Sequence, residues 1–135
     1  MIAVAAGIGD ERVDEVLGVV GLADAAGRRV GGFSLGMRQR LGVAAVLLGR
    51  PRLLVLDEPA NGLDPQGIRW LRDLMRDYAR DGNSVLISSH LLSEVAQTVD
   101  DVVIIAAGRT RAQCPLAELE ATRLEDAFLE LTATR

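Results

Sequence analysis

The sequence predicts an α/β fold in which a largely parallel sheet is flanked by helices. Three short runs, residues 53–57, 84–88 and 101–107, have the length and apolar character of buried strands. Helical patterns follow the first two, over about residues 64–80 and 91–99. Because strands that alternate with helices are typical of layered α/β proteins, the order of these elements sets the predicted class. Hydrophobic residues make up 49% of the 135 residues, which is enough to build a core.

The first third of the chain is predicted to be mainly helical. Apolar residues recur at helical spacing over about residues 11–20, and Asp10 stands in the position of an N-cap. Glycines and arginines indicate a loop over residues 27–32. Ser34 is the expected N-cap of a helix that runs to about Leu48, and Gly49 is expected to close that helix.

The later elements are bounded by turn and capping residues. Asp64 followed by proline predicts a helix start, since the carboxylate caps the first turn and the proline ring suits it. That helix is expected to end in the turn at residues 81–83. The third strand is expected to turn at Gly108 into a short partner near residues 110–114, and a last amphipathic helix covers residues 124–131.

Composition excludes several classes of function. The net charge of −4 disfavours a nucleic-acid-binding protein, which normally carries a basic patch. Cys114 is the single cysteine and cannot form an internal disulfide, which fits a reducing compartment. No segment has the roughly 18–20 apolar residues of a membrane helix, and the first ten residues do not look like a secretory signal. We therefore expect an ordinary globular domain or a part of one.

Asp57 and Glu58 lie where the first apolar strand ends. In α/β folds this edge of the sheet is where ligands bind. Phosphoryl transfer requires one carboxylate that holds Mg²⁺, and a second can orient or deprotonate the attacking water. The same residues could also be the end of a strand followed by an acidic turn, so the functional interpretation of the pair depends on the motifs around it.

Three further segments carry the remaining chemistry. Residues 34–37 (SLGM) lie at a predicted helix start, where free N–H groups and the helix dipole attract phosphate; an ordinary capped helix would read the same. Residues 61–64 (NGLD) follow the acidic pair, and Asp64 is also the best N-cap of the next helix. His90 is the only histidine and follows the second strand, where a neutral imidazole can hydrogen-bond a γ-phosphate.

In this order the segments resemble the second half of an ATP-binding-cassette (ABC) nucleotide-binding domain of the bacterial drug- and antibiotic-export type. Residues 33–41 (FSLGMRQRL) resemble the signature motif L-S-G-G-Q, with Phe33, Leu35 and Met37 departing from it, and residues 53–59 (LLVLDEP) resemble Walker B. NGLD resembles the D-loop. The resemblance implies that Asp57 binds the metal, that Glu58 is the general base and that His90 is the switch histidine. It implies nucleotide contacts in trans for the signature and D-loop residues, which are Ser34, Leu35, Gly36, Met37 and Asp64.

The resemblance also implies a fold, cofactors and partners. The fold is a partial P-loop NTPase, with residues 1–50 in the helical subdomain, 51–114 in a RecA-like core and 115–135 in a helical tail. The cofactors are ATP and Mg²⁺. The partners are a second nucleotide-binding subunit and a membrane-spanning permease, with no nucleic acid, and the location is the cytoplasmic face of the membrane.

The phosphate-binding loop of this family has no counterpart in these residues. All fifteen basic residues are arginine, so the G-x-x-x-x-G-K-[ST] pattern cannot occur. The Walker A strand, the antiparallel β subdomain and the Q-loop are also without counterparts. We therefore expect a C-terminal part of an ABC ATPase that alone does not bind or hydrolyse ATP. We also expect marginal stability, because the strand at residues 53–56 is apolar on both faces and would leave apolar surface uncovered.

Two other functions remain open on the sequence alone. A non-catalytic regulatory subunit could supply only its signature face to a complete cassette. A chromosome-organising or DNA-repair ATPase lobe also carries a signature and a Walker B segment. Such lobes follow long coiled coils, however, and residues 1–30 show no sustained heptads.

Overall fold

A computed structural model describes residues 2–120 and, beyond them, residues 126, 128 and 129. The chain divides into two compact units, Met1–Ser88 and Ser89–Arg135. The final helix predicted over residues 124–131 lies largely outside the described residues. No helix in the described part is both long and apolar enough to span a membrane.

The first unit contains four helices and a pair of strands. Its helices are α1 (Ile2–Ala5), α2 (Asp10–Val19), α3 (Leu35–Leu47) and α4 (Pro65–Arg80), and its strands are β1 (Leu53–Leu56) and β2 (Ser84–Ile87). Short 3₁₀ turns at Ala23–Ala25 and Val30–Gly32 join α2 to α3. The core includes buried residues from α2, α3, α4 and β1: Val16, Val20, Val43, Ala44, Leu47, Leu54, Leu56, Leu71 and Met75.

The two strands of this unit are parallel and in register, from Leu53 opposite Ser84 to Leu56 opposite Ile87. The connection between them is α4, as expected for a parallel crossover. Both strands therefore end at the same edge of the sheet. Among the described residues the parallel sheet consists of these two strands.

The predicted caps of α3 and α4 are confirmed. The Ser34 hydroxyl accepts a hydrogen bond from the Met37 N–H at 3.2 Å. An Asp64 carboxylate oxygen accepts from the Gly67 N–H at 2.7 Å, and Pro65 occupies the first turn of α4. These bonds satisfy N–H groups that have no partner inside the helix.

Two predicted details are wrong. Asp10 is the first residue of α2 rather than its cap, and the N-cap residue Gly9 has no side chain to offer. Asp10 and Glu11 instead place negative charge in the first turn, which favours the helix through its dipole. After α3, the left-handed backbone belongs to Arg50, with φ of 47°, and not to Gly49.

The second unit is an antiparallel hairpin with short helices. Strands β3 (Asp101–Ala106) and β4 (Arg109–Pro115) pair with a register irregularity between Ile104 and Ile105. The predicted turn of the third strand at Gly108 into a short partner is confirmed, and these two strands form a separate antiparallel sheet. A tight turn through Ala107 and Gly108, both at positive φ, explains this, since hairpins favour such turns.

The first helix of the second unit is shorter than predicted. Helix α5 covers only Leu92–Val95 of the expected residues 91–99. Helix α6 covers Leu116–Glu120. A small core forms around Val102, Ile104 and Leu116.

Candidate functional site

The ends of β1 and β2 bring together two acidic residues and a serine. The Ser88 hydroxyl accepts a hydrogen bond from the Glu58 N–H at 2.8 Å and donates one to a carboxylate oxygen of Asp57. The Ser88 N–H donates to the Leu56 carbonyl at 3.0 Å, which extends the parallel ladder by one residue. Parallel pairing through α4 is what places these three side chains at one edge.

Glu58 has an unusual backbone conformation. Its φ of 45° lies in the left-handed region, which costs a residue with a Cβ about 1–2 kcal/mol. The Glu58 carbonyl accepts from the Asn61 N–H at 3.1 Å, so the chain turns sharply directly after β1. Strain of this kind persists where surrounding contacts enforce it and is frequent at functional sites.

Two sets of hydrogen bonds hold the start of α3. Besides the Ser34 cap, the Arg38 guanidinium donates from Nε and Nη2 to the Phe33 carbonyl, at 3.1 and 3.0 Å. Phe33 itself is buried in the core. The backbone N–H groups at the N-terminus of α3 are therefore held in a defined direction, next to the exposed side chain of Leu35.

The same helix start packs against the loop before α4. The Gln39 amide donates to the Asn61 carbonyl at 3.1 Å. Gly62 has φ of 74°, and a Cβ there would lie 2.5 Å from Leu35 Cδ2. A Cβ at Gly36 would lie 3.8 Å from Leu63 Cδ2. The structure thus joins residues 34–37 and residues 61–64 into one continuous surface.

The departures from the usual signature letters have local structural roles. Met37 packs against the core of the first unit, where a glutamine would be half buried among apolar side chains. Leu35 is 57% exposed and lies over Gly62. Asp64 is engaged as the cap of α4, with one carboxylate oxygen holding the Gly67 N–H.

His90 belongs to the second unit, in the exposed segment between β2 and α5. Next to it, the Ser89 hydroxyl accepts from the Leu91 N–H at 3.1 Å and shapes the turn into α5. The structure therefore joins Asp57, Glu58 and Ser88 within the first unit, and His90 follows Ser88 by two residues along the chain.

The residues present fit Mg²⁺ in one limited way. Asp57 offers an exposed carboxylate, the hard oxygen ligand that Mg²⁺ prefers. Within the described residues there is no group of three or more metal-ligating side chains. Mg²⁺ commonly uses one or two carboxylates together with water and substrate phosphates, and Asp57 suits that arrangement.

Sequence reasoning did not select Ser88 or the bond between Gln39 and Asn61. A signal for Ser88 was available, because two parallel strands joined by a helix end at the same edge, and Ser88 directly follows the second strand. Nothing in the sequence indicated the bond from Gln39, because it joins a helix to a loop carbonyl 22 residues away.

Comparisons with known proteins give a matching family model and several similar ATP-binding proteins of transporters. Residues 10–96 match a family model described as "AAA domain, putative AbiEii toxin, Type IV TA system". The chain is 47% identical over 125 residues to the uncharacterized ABC transporter ATP-binding protein YdbJ of Bacillus subtilis, covering 92% of this chain and 40% of that protein. It is 50% identical over 109 residues to the bacitracin transport ATP-binding protein BcrA of Bacillus licheniformis, covering 80% and 36%.

Solved structures give the same fold. CbiO1 of Clostridium perfringens, part of the ABC transporter complex cbiONQ, matches with a TM-score of 0.75 and 28% identity, covering 90% of this chain and 49% of that chain. The ATP-binding cassette MJ1267 matches with a TM-score of 0.79 at 21% identity. The chain spans about two fifths of the length of the curated relatives named above. By fold and by sequence, this chain belongs to the ATP-binding proteins of ABC transporters.

Proposed function

We propose that the chain supplies the signature-to-switch part of an ATPase that couples ATP binding and hydrolysis to export across a membrane. BcrA is named for bacitracin transport, and SrtF of Streptococcus pyogenes, 45% identical over 103 residues, is named for lantibiotic transport. This supports export of an antibiotic-like compound. The observation that best supports the proposal is the arrangement of the first unit. It contains both the acidic end of β1 and the N-terminus of α3, where backbone N–H groups can bind phosphate.

At the strand end, each acidic residue has a separate task. Mg²⁺, when bound with ATP, neutralises charge on the phosphates, and Asp57 is the carboxylate that would hold it. Glu58 would orient the attacking water and accept its proton. His90 would hydrogen-bond the γ-phosphate through its imidazole, as the switch histidine.

At the helix start, the chain would contact the ATP held by a second subunit. The Ser34 oxygen accepts from the Met37 N–H, which leaves its hydroxyl hydrogen available for a phosphate oxygen. The N–H groups of Leu35 and Gly36 and the positive end of the α3 dipole would add to that contact. Met37 and Asp64 would border the same surface, since residues 61–64 pack beside residues 34–37.

The proposal includes the setting of the protein. Its partners are a second nucleotide-binding subunit and a membrane-spanning permease rather than nucleic acid, and it works at the cytoplasmic face of the membrane. Residues 1–50, 51–114 and 115–135 correspond in this proposal to part of a helical subdomain, part of a RecA-like core and a tail. The 135 residues alone do not retain ATP, because the lysine and the N–H nest that hold the phosphates are absent from them.

The coding DNA upstream of Met1 provides the first test. We expect an in-frame G-x-x-x-x-G-K-[ST] pattern there. If the pattern is absent, and the purified chain stimulates the ATPase of a complete cassette in a manner lost in Ser34→Arg, the chain is instead a regulatory subunit.

The second test concerns Glu58 in the protein that includes the upstream pattern. We expect Glu58→Gln to lower ATP hydrolysis by about 10²–10⁴-fold while ATP binding persists, because the base is lost and the metal ligand is not. Glu11→Gln, on the exposed side of α2, is the matched control and should leave turnover unchanged. Full turnover in Glu58→Gln would exclude the proposed role of this residue.

A further inference from the structure

Ser88 contacts both acidic residues of the strand end through a single oxygen. Its hydroxyl accepts from the Glu58 N–H at 2.8 Å and donates to Asp57 Oδ1. A side chain with both a donor and an acceptor on one atom is needed for this pair of contacts. Serine and threonine carry such a hydroxyl directly on Cβ, whereas the tyrosine hydroxyl lies at the far end of a ring.

The backbone fixes the point from which that hydroxyl projects. Ser88 lies one residue beyond the paired residues Leu56 and Ile87, and its N–H continues the ladder to the Leu56 carbonyl. The Ser88 Cβ therefore has little freedom to move relative to the end of β1, and the two hydrogen bonds of the hydroxyl select one χ1 rotamer. A group placed in this way can impose a conformation on the residues that it touches.

Glu58 is the residue whose conformation requires support. Its left-handed backbone is unfavourable for a side chain with a Cβ, and its N–H faces the Ser88 oxygen rather than a ladder partner. The direction of the Glu58 Cα–Cβ bond depends on this backbone conformation. At the same time, the bond to Asp57 Oδ1 leaves the other oxygen of that carboxylate for a cation.

We propose that Ser88 is a positioning residue that holds the Glu58 backbone in its left-handed turn and orients the Asp57 carboxylate. The proposal rests on the proposed function for its catalytic meaning. Ser88 does not take part in proton transfer. It determines where the base and the metal ligand lie when ATP is present.

Nuclear magnetic resonance of the 135-residue chain tests the positioning without ATP turnover. The variants are Ser88→Ala, Ser88→Thr and Ser88→Val, with Ser84→Ala as a control at the exposed start of the same strand. Loss of the hydroxyl should speed amide exchange at Glu58 by roughly two- to tenfold and shift the Asp57 carboxyl carbon signal. Threonine should restore both readouts. Valine, which has the shape of threonine without the hydroxyl, should not.

The outcomes separate the proposal from its alternatives. Equal Glu58 exchange in the threonine and valine variants overturns the proposal, and this comparison remains valid if Ser88→Ala fails to fold. In the protein that includes the upstream phosphate loop, Ser88→Val should lower kcat with KM for ATP unchanged, and Ser88→Thr should recover it. The exchange measurement requires no nucleotide. A failure of the proposed ATPase function would therefore leave the positioning role of Ser88 standing, and a failure of that positioning role would leave the proposed function standing.

Discussion

The two faces of the parallel strand pair differ sharply in their surroundings. On one face Leu54 is fully buried, and Val85 and Ile87 pack against the same core under α3 and α4. On the other face Leu53, Val55 and Leu86 are 53%, 59% and 56% exposed. Apart from Ser84, which is opposite Leu53, the exposed face is as apolar as the buried one, so composition does not explain the difference.

The exposed apolar face is unusual for a parallel strand pair. Continuous apolar runs are typical of parallel strands that helices cover on both faces, whereas a strand with one wet face alternates with polar residues. Within the described residues, helices cover only one face of the strand pair. The apolar surface expected from the sequence is therefore present as an exposed sheet face, and patches of this kind promote association.

The largest expected effect separates the two faces directly. Leu54→Ala should lower the free energy of unfolding by about 2–5 kcal/mol, because it leaves a cavity in the core. Val55→Ala, one residue along on the exposed face, should cost less than about 1 kcal/mol. Urea denaturation followed by far-ultraviolet circular dichroism measures both. Equal losses would show that both faces are covered in solution.

A smaller effect tests the helix that covers the buried face. Asp64→Ala removes the side-chain cap of α4 and should cost about 1 kcal/mol. Asp81→Ala, at the opposite end of the same helix, is the control, since a carboxylate there opposes the helix dipole and its removal should be neutral or favourable. A similar loss of stability in both variants would argue against a specific capping role of Asp64.

The smallest effect concerns pH. The pKa of the Glu15 carboxyl is held below its ordinary value, chiefly by the hydrogen bond from Arg12, with weaker help from Arg50. Because the folded-state pKa is the lower one, this contribution is present above the unfolded-state pKa and is lost as pH falls through the folded-state pKa. The effect is small because the carboxylate is exposed.

Glu15→Gln should flatten the decline of the urea midpoint between about pH 5 and pH 3. Asp14→Asn, at an exposed position beyond the first turn of α2, should leave the decline as it is in the parent chain. If Glu15→Gln leaves the slope of the parent chain unchanged, the Arg12 bond does not persist in solution.

Much of the fold followed from local signals. The caps at Ser34 and Asp64 were predictable because short polar side chains before apolar helical patterns bond the free N–H groups. The extent of α5 was not, because the apolar spacing over residues 91–99 continues past the point where the helix ends at Val95. The pairing of β3 with β4 was predictable, because Gly108 marks a tight turn between two adjacent strand patterns.

The sequence by itself determined the family, the order of the elements and the residue types at the strand end and the helix start. These depend on local spacing and on the chemistry of single side chains. Only the tertiary structure decided that Ser88 bridges Asp57 and Glu58, that Gly62 lies under Leu35, and which face of β1 is buried. The contacts of Ser88 and of Gly62 join residues 27 or more positions apart. The burial of β1 depends on which neighbours cover each face, and a local sequence pattern contains neither kind of information.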